Sequence, residues 1–197
     1  MDTRKCWSCG HPHAAADPVC PSCGKVQPPP PAGSQPDKFA VLGLPGSFDE
    51  PEDLDDRYRA LSRKLHPDRV ARASPQERRF ALEQTTRLNE AYKALKDPVR
   101  RAEHLLALRG IQGDPKMSPE FLEQTLEDRE RLMEAKASGE PLEPLAGAVR
   151  EKRDRTLREV RTLVEGGGDL AKAAELLARM RYYARYLDEV EGRAAEL

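Results

Sequence analysis

All four cysteines of this 197-residue chain fall within its first 23 positions, as Cys6-x2-Cys9 and Cys20-x2-Cys23. That confinement limits what residues 1–27 can become. With one Trp and almost no aliphatic side chains, the segment cannot bury a core and must be cross-linked to fold. Two disulfides would serve. Two CxxC pairs are also the ligand pattern of a tetrahedral metal site, each pair curling round the ion, and Gly10 and Gly24 stand directly after the pairs, where such a turn needs a permissive backbone. The opening residues Met1 to Cys6 carry no apolar signal stretch. A reducing, cytoplasmic setting favours metal over disulfides. Zinc is the expected ion, with iron the other that accepts four thiolates. Its binding free energy would supply most of the folding free energy of the segment. Four thiolates close the shell, so His11 and His13 are read as surface residues and no coordination position is left for catalysis.

The next stretch, Pro28 to Pro36, contains five prolines with Gly33 and Ser34. It is expected to be a polyproline II spacer that holds the module over 1–27 apart from the remainder. Charge then narrows the function. Thirty-three basic and thirty-four acidic side chains leave a net charge of -1, which argues against binding nucleic acid or membranes through bulk charge. Mean hydropathy is -0.75, and no apolar run approaches the ~20 residues of a membrane span.

From Asp37 onward the periodicity is helical, without convincing two-residue alternation, so the fold class is all-α behind the small module. Leu54, Tyr58, Leu61 and Leu65 share a face. Ser74-Pro75-Gln76-Glu77 reads as N-cap, first-turn proline and capping-box glutamate, opening a helix with Leu88, Ala91, Tyr92 and Leu95 on one side. Asp97-Pro98 starts a short helix ending near Gly110, and Ser118-Pro119 starts another whose apolar side is Leu122, Leu126, Leu132 and Met133. A further helix runs from about Pro144 to the Gly166-Gly167-Gly168 break. Asp169 caps the last helix, with a seam of Leu170, Ala173, Leu177, Met180, Ala184 and Leu187. An antiparallel three-helix bundle over 117–197 is the expected architecture.

Between the first two long helices stands His66-Pro67-Asp68, with a loop expected from Arg69 to Ala73. Pro67 ends the preceding helix. An exposed His and Asp would then sit at the tip of a helical hairpin. Together with Asp37-Lys38-Phe39-Ala40-Val41-Leu42-Gly43-Leu44 before it and Leu88-Asn89-Glu90-Ala91-Tyr92 through Asp97-Pro98 after it, residues 37–110 resemble a J-domain. The continuation Val99 to Gly110, followed by three helices in place of a Gly/Phe-rich linker, narrows the resemblance to HscB (Jac-type) co-chaperones of iron–sulfur cluster assembly. The tetracysteine module opening Cys6-Trp7-x-Cys9 is similar to that of the mitochondrial members.

The resemblance implies two partners. A DnaK/HscA-type chaperone would have its ATPase stimulated through His66, Pro67 and Asp68, with Tyr58, Arg59, Arg63 and Arg69 beside them. An IscU-type scaffold would bind Leu122, Leu126, Glu127, Arg129, Glu130 and Tyr182. Glu123 stands where the family often has an apolar residue, and Tyr182 replaces a phenylalanine. Asp55 and Asp56 confine the positive charge of the first long helix to its His66 end. For Arg59, Arg63 and Arg69 the expected role is steering onto an acidic partner. His66 and Asp68 have no nucleophile or phosphate loop near them in sequence, so the chain is read as an activator and not an enzyme. His104 is read as packed or at the surface. A general J-protein for another client is the alternative, and a zinc-ribbon nucleic-acid binder a weaker one. The isolated module with its closed shell suggests a homodimer contact or an added protein contact.

Overall fold

The computed structural model describes residues 3–30, 37–113 and 115–193. Most of the expected polyproline spacer, residues 31–36, lies outside them. The chain divides into two compact units, residues 1–105 and 106–197.

The first unit begins with β1 (Thr3–Lys5) paired antiparallel to β2 (Pro12–Ala14), with Arg4 opposite His13, and a lone bridge joins Val19 to Val26. Five helices follow: α1 (Lys38–Leu42), α2 (Leu54–Leu65), α3 (Pro67–Val70), α4 (Pro75–Lys96) and α5 (Pro98–Leu108), the last crossing into the second unit. Leu54 and Leu65 of α2 and Leu88, Ala91 and Leu95 of α4 are buried as their spacing predicts. Tyr58 of α2 stacks on Tyr92 of α4 at 4.1 Å and donates to Asn89 Oδ1 at 3.0 Å, which fixes the register of the hairpin. Where a loop is expected after the tripeptide, α3 forms one helical turn. Pro67 supplies the preset φ of its first position, and His66 caps it.

Two buried polar side chains of α5 organise the segment before α2. Arg101 donates from Nε to Phe48 O at 2.7 Å and from Nη1 to Leu95 O. His104 is buried, stacks on Phe39 and accepts from Lys38 N at 2.9 Å. Burial, then the Lys38 ammonium, hold the His104 imidazole below its ordinary value, while Asp37 pulls the other way. The unfolded chain therefore takes up this proton at a higher pH than the folded one. The contribution of His104 is complete above about pH 6.5 and is lost as pH falls below it. Urea midpoints measured at about pH 7.5 and pH 5.5 are expected to fall further in the parent chain than in a His104→Gln variant. Equal drops in both would show that the ring titrates as it does in the unfolded chain.

The second unit holds α6 (Pro119–Ser138), α7 (Glu143–Glu165) and α8 (Leu170–Val190). Ser118 and Asp169 cap α6 and α8 through their side chains, as expected. Gly167 takes the left-handed turn after α7 at φ 67°. The seams differ from the expected ones by one step. On α8, Tyr183 is buried and Ala184 is exposed, since a run of 173, 176, 180, 183 and 187 follows the 3.6-residue turn more closely. On α6, Phe121, Leu132 and Ala135 face inward, with Thr125 and Asp128 between them half-buried. Of the expected apolar side only Leu132 is buried: Leu122, Leu126 and Met133 are 46%, 59% and 66% exposed, which is where a scaffold face through Leu122 and Leu126 needs them.

Candidate functional site

The N-terminal module gathers the four cysteines. Their Sγ atoms all lie within 4.8 Å of one another, and the Cys6–Cys23 and Cys9–Cys20 pairs stand 3.7 Å apart. That is too far for a disulfide bond. It is the edge of a tetrahedron of sulfurs about 2.3 Å from a central ion, which works out at roughly 3.8 Å. Gly10 and Gly24 take φ of 73° and 72° and donate back to Cys6 O and Cys20 O at 3.0 Å, closing each knuckle. Ser8 N and Gln27 Nε2 point at Cys6 Sγ from 3.4 and 3.3 Å, as donors do toward a ligand thiolate.

Without an ion the set is mismatched. Burial pushes the Cys6 thiol up, but the N–H groups of Cys9 and Ser8 and the nearby sulfurs bring it down to about 6. The Cys23 thiol is lowered by the Lys25 N–H, yet desolvation and its sulfur neighbours push it to about 12. Four thiols this close cannot all ionise without a cation among them. The four cysteines are thus placed to bind a metal ion. His11 is exposed, as expected, but His13 is buried, with Nδ1 2.9 Å from Ala14 O. It sits on β2 opposite Arg4 and is no part of the sulfur cluster. A strand in a two-stranded ribbon buries one face, which the cysteine count alone does not reveal.

The module is not held apart from the helices. Glu77 of α4 supplies only half of the expected capping box. Ser74 Oγ accepts from Glu77 N at 3.2 Å, but the Glu77 carboxylate reaches across to Lys25 Nζ at 2.8 Å and Val26 N at 3.2 Å. Those are better partners for a carboxylate than its own cap, because one is an ammonium and the other a buried amide in need of an acceptor.

At the tip of the α2–α4 hairpin, His66 ends α2 and caps α3. Its Nδ1 stands 3.3 Å from Asp68 N, the cap contact, and 3.4 Å from the Asp68 carboxylate, while Nε2 is the ring's other polar edge. The His66 and Asp68 side chains are 58% and 91% exposed. They line a surface depression together with Ser62, Arg63, Pro67, Arg69 and Thr85. The surrounding charges sort by position. Arg57 pairs with Asp53 at 2.8 Å, Arg59 with Asp56 at 3.5 Å, and Asp55 is taken by Lys96 and Tyr92. Arg63, Lys64, Arg69 and Arg72, all exposed, have no acidic partner among the described residues. The acidic start of α2 thus neutralises its own cations and leaves free positive charge round His66. Tyr58, half-buried and tied to α4, belongs to the hairpin's own packing and lies outside the depression.

On the second unit, Leu122, Leu126, Glu127, Arg129 and Glu130 form one exposed face of α6. Arg129 lies 3.9 Å from Glu189 of α8. Tyr182 of α8 meets the Phe121 ring edge-on at 5.4 Å, so it borders that face. Met133 continues the stripe and was absent from the expected set. The signal was Phe121: placing it inside rotates the helix and turns 122, 126 and 133 out together.

Known proteins match this arrangement along its length. A family model described as DnaJ domain matches residues 37–104, and one described as HSCB C-terminal oligomerisation domain matches 117–191. A co-chaperone protein HscB homolog from Ralstonia nicotianae is 38% identical over 165 residues, 80% of this chain and 92% of that protein. The iron-sulfur cluster co-chaperone protein HscB of Mus musculus is 33% identical over 195 residues, 95% of this chain and 81% of that one. Among solved structures, human co-chaperone protein HscB superposes with a TM-score of 0.82 at 30% identity, covering 98% of this chain and all of its own. Chaperone HscB from Vibrio cholerae gives 0.72 at 32% identity, covering 79% of this chain and 96% of its own. The Ralstonia and Vibrio proteins leave about a fifth of the chain unmatched, room enough for the four-cysteine module and its linker, whereas the human structure spans both. A histidine–aspartate tip on a helical hairpin, followed by a three-helix unit and matched at this identity over most of both chains, places this protein in the HscB family of J-domain co-chaperones.

Proposed function

We propose that this chain stimulates ATP hydrolysis by a DnaK/HscA-type chaperone and delivers an IscU-type scaffold to it, serving iron–sulfur cluster biogenesis and transfer. The observation that carries the proposal is the charge-sorted tip. His66, Pro67 and Asp68 stand exposed beside four cations that have no acidic partner among the described residues. Such a patch recognises an acidic surface, and long-range attraction raises the encounter rate before contacts form. His66, Asp68, Arg63 and Arg69 make the chaperone contact, and Arg59 contributes less because Asp56 offsets it. Tyr58 acts by holding the hairpin in register.

The scaffold binds the α6 face through Leu122 and Leu126, with Glu127, Arg129 and Glu130 around them and Tyr182 at the border. Zinc is the ion of the module, in a structural role, since four thiolates leave it no position for substrate. Four reduced cysteines held as a ligand set suit the cytoplasm. The described residues form no helix long and apolar enough to cross a membrane. A homodimer through the module is the less favoured contact, because Trp7 and Val26 are already engaged within the first unit. The chain changes its partner's hydrolysis rate and performs no reaction of its own.

The test is the steady-state ATPase of the cognate DnaK-type chaperone with this protein alone and with the scaffold added. Stimulation that rises further with scaffold supports both halves. Stimulation indifferent to scaffold would keep the chaperone contact and transfer the chain to another client.

A further inference from the structure

Helix α4 carries a second buried face. Glu77, Phe80 and Gln84, spaced three and four apart, are only 4%, 6% and 4% exposed. What they meet is the four-cysteine module. Glu77 holds Lys25 and Val26, the residues directly after the second knuckle. The Phe80 ring meets Trp7, inside the first knuckle, edge-on at 6.0 Å. Trp7 Nε1 in turn donates to Val26 O at 2.7 Å, tying the two knuckles together at this surface. Gln84 Nε2 donates to Gln27 O at 3.0 Å, and Gln27, fully buried, donates from its own Nε2 to the sulfur of Cys6. One residue therefore touches a metal ligand with its side chain and α4 with its backbone.

Nothing but an ion justifies the sulfur cluster energetically, because the module has little apolar surface to bury. If the ion leaves, the knuckles lose their geometry, and α4 loses the groups that cover Phe80 and satisfy Glu77 and Gln84. We propose that metal occupancy of the four-thiolate module and order in the first half of α4 are coupled, so that the module is a metal-dependent brace on the helix that follows the His66 tip. This goes beyond the chaperone and scaffold reading and rests only on the module binding metal. Coupling of this kind is reciprocal: if the metal orders the α4 contact, a substitution on α4 that weakens the contact must also weaken metal binding.

The test uses the full chain and zinc alone, with affinity read by competition against a chromophoric chelator. Glu77→Gln and Gln84→Ala, which touch no sulfur, are each expected to lower zinc affinity by about fivefold or more. Leu82→Ala, on an exposed position of the same helix, is expected to leave it unchanged. In the opposite direction, chelating the metal from the parent chain is expected to shift the emission of Trp7, the chain's one tryptophan. It should also speed hydrogen exchange of amides 78–88 while leaving those of α6 to α8 as they were. Unchanged zinc affinity in both α4 variants overturns the proposal, as does unchanged exchange in α4 after metal removal. A parent chain that takes up no zinc would instead fell the metal reading and the brace with it.

Discussion

A His66→Asn variant is expected to fold as the parent does, bind scaffold with the same affinity and lose nearly all stimulation of the chaperone ATPase. The choice of asparagine follows from the geometry. His66 serves as the cap of α3 through one acceptor atom, Nδ1, at 3.3 Å from Asp68 N. Asparagine is among the best N-cap residues and restores that acceptor. With a 58% exposed side chain, the imidazole has little buried surface to lose, so the change in stability is expected to stay within about 0.5 kcal/mol. What disappears is the ring with its Nε2 edge. Contacts that dominate an interface are worth roughly 2 kcal/mol or more, a loss of about thirtyfold. Thermal melting and ATPase turnover, measured together, separate the two roles. Full stimulation by His66→Asn would mean that the tip acts only by its backbone shape. A graded companion is ionic strength. Stimulation at subsaturating protein is expected to fall as salt rises, because Arg63, Lys64, Arg69 and Arg72 act over distances that salt screens.

The helix starts were open to sequence reasoning because their signals are local. Ser74, Ser118 and Asp169 accept from the amides that the capping rules assign to them, and the paired glycines close the knuckles. These need only neighbours a few residues away. The misplacements involve partners from elsewhere in the chain. Glu77 has an ideal position for a capping box, yet its carboxylate is drawn to residues some fifty positions earlier, Lys25 and Val26. A proline-rich stretch says nothing about whether the segments it joins return to one another, so the module's docking on α4 left no sign in the spacing. On α6 the hydrophobic pattern holds two overlapping stripes, one through Phe121 and Leu132, the other through Leu122, Leu126 and Met133. Periodicity alone does not say which is the core. A helix with more apolar residues than one face can hold has a surplus that some other surface must cover.

That surplus gives the second large effect. Leu126→Ala, at a position 59% exposed, is expected to weaken scaffold binding by tenfold or more and to leave the melting temperature almost unchanged. The stability side follows from exposure: an outward leucine contributes little to the core, and alanine is the better helix former. The binding side follows from area, since covering a leucine side chain is worth roughly 1.5–3 kcal/mol, which is about tenfold to a hundredfold in affinity. Leu122→Ala is expected to act in the same direction. The two together should fall short of the sum, because neighbours one turn apart share a pocket on the partner. Met133 tests how far the face extends. Seven residues beyond Leu126 it lies on the same stripe, two turns along, and a smaller effect there would place the edge of the scaffold between them. Calorimetry with the isolated scaffold reads all three variants without the chaperone present. Parent-like affinity in Leu122→Ala and Leu126→Ala alike would remove α6 as the docking face, whatever the His66 variants do. The two sets of variants answer separately because the proposed scaffold contact rests on apolar burial and the proposed chaperone contact on charge steering. High salt should therefore weaken chaperone stimulation while barely changing the leucine-dependent part of scaffold affinity.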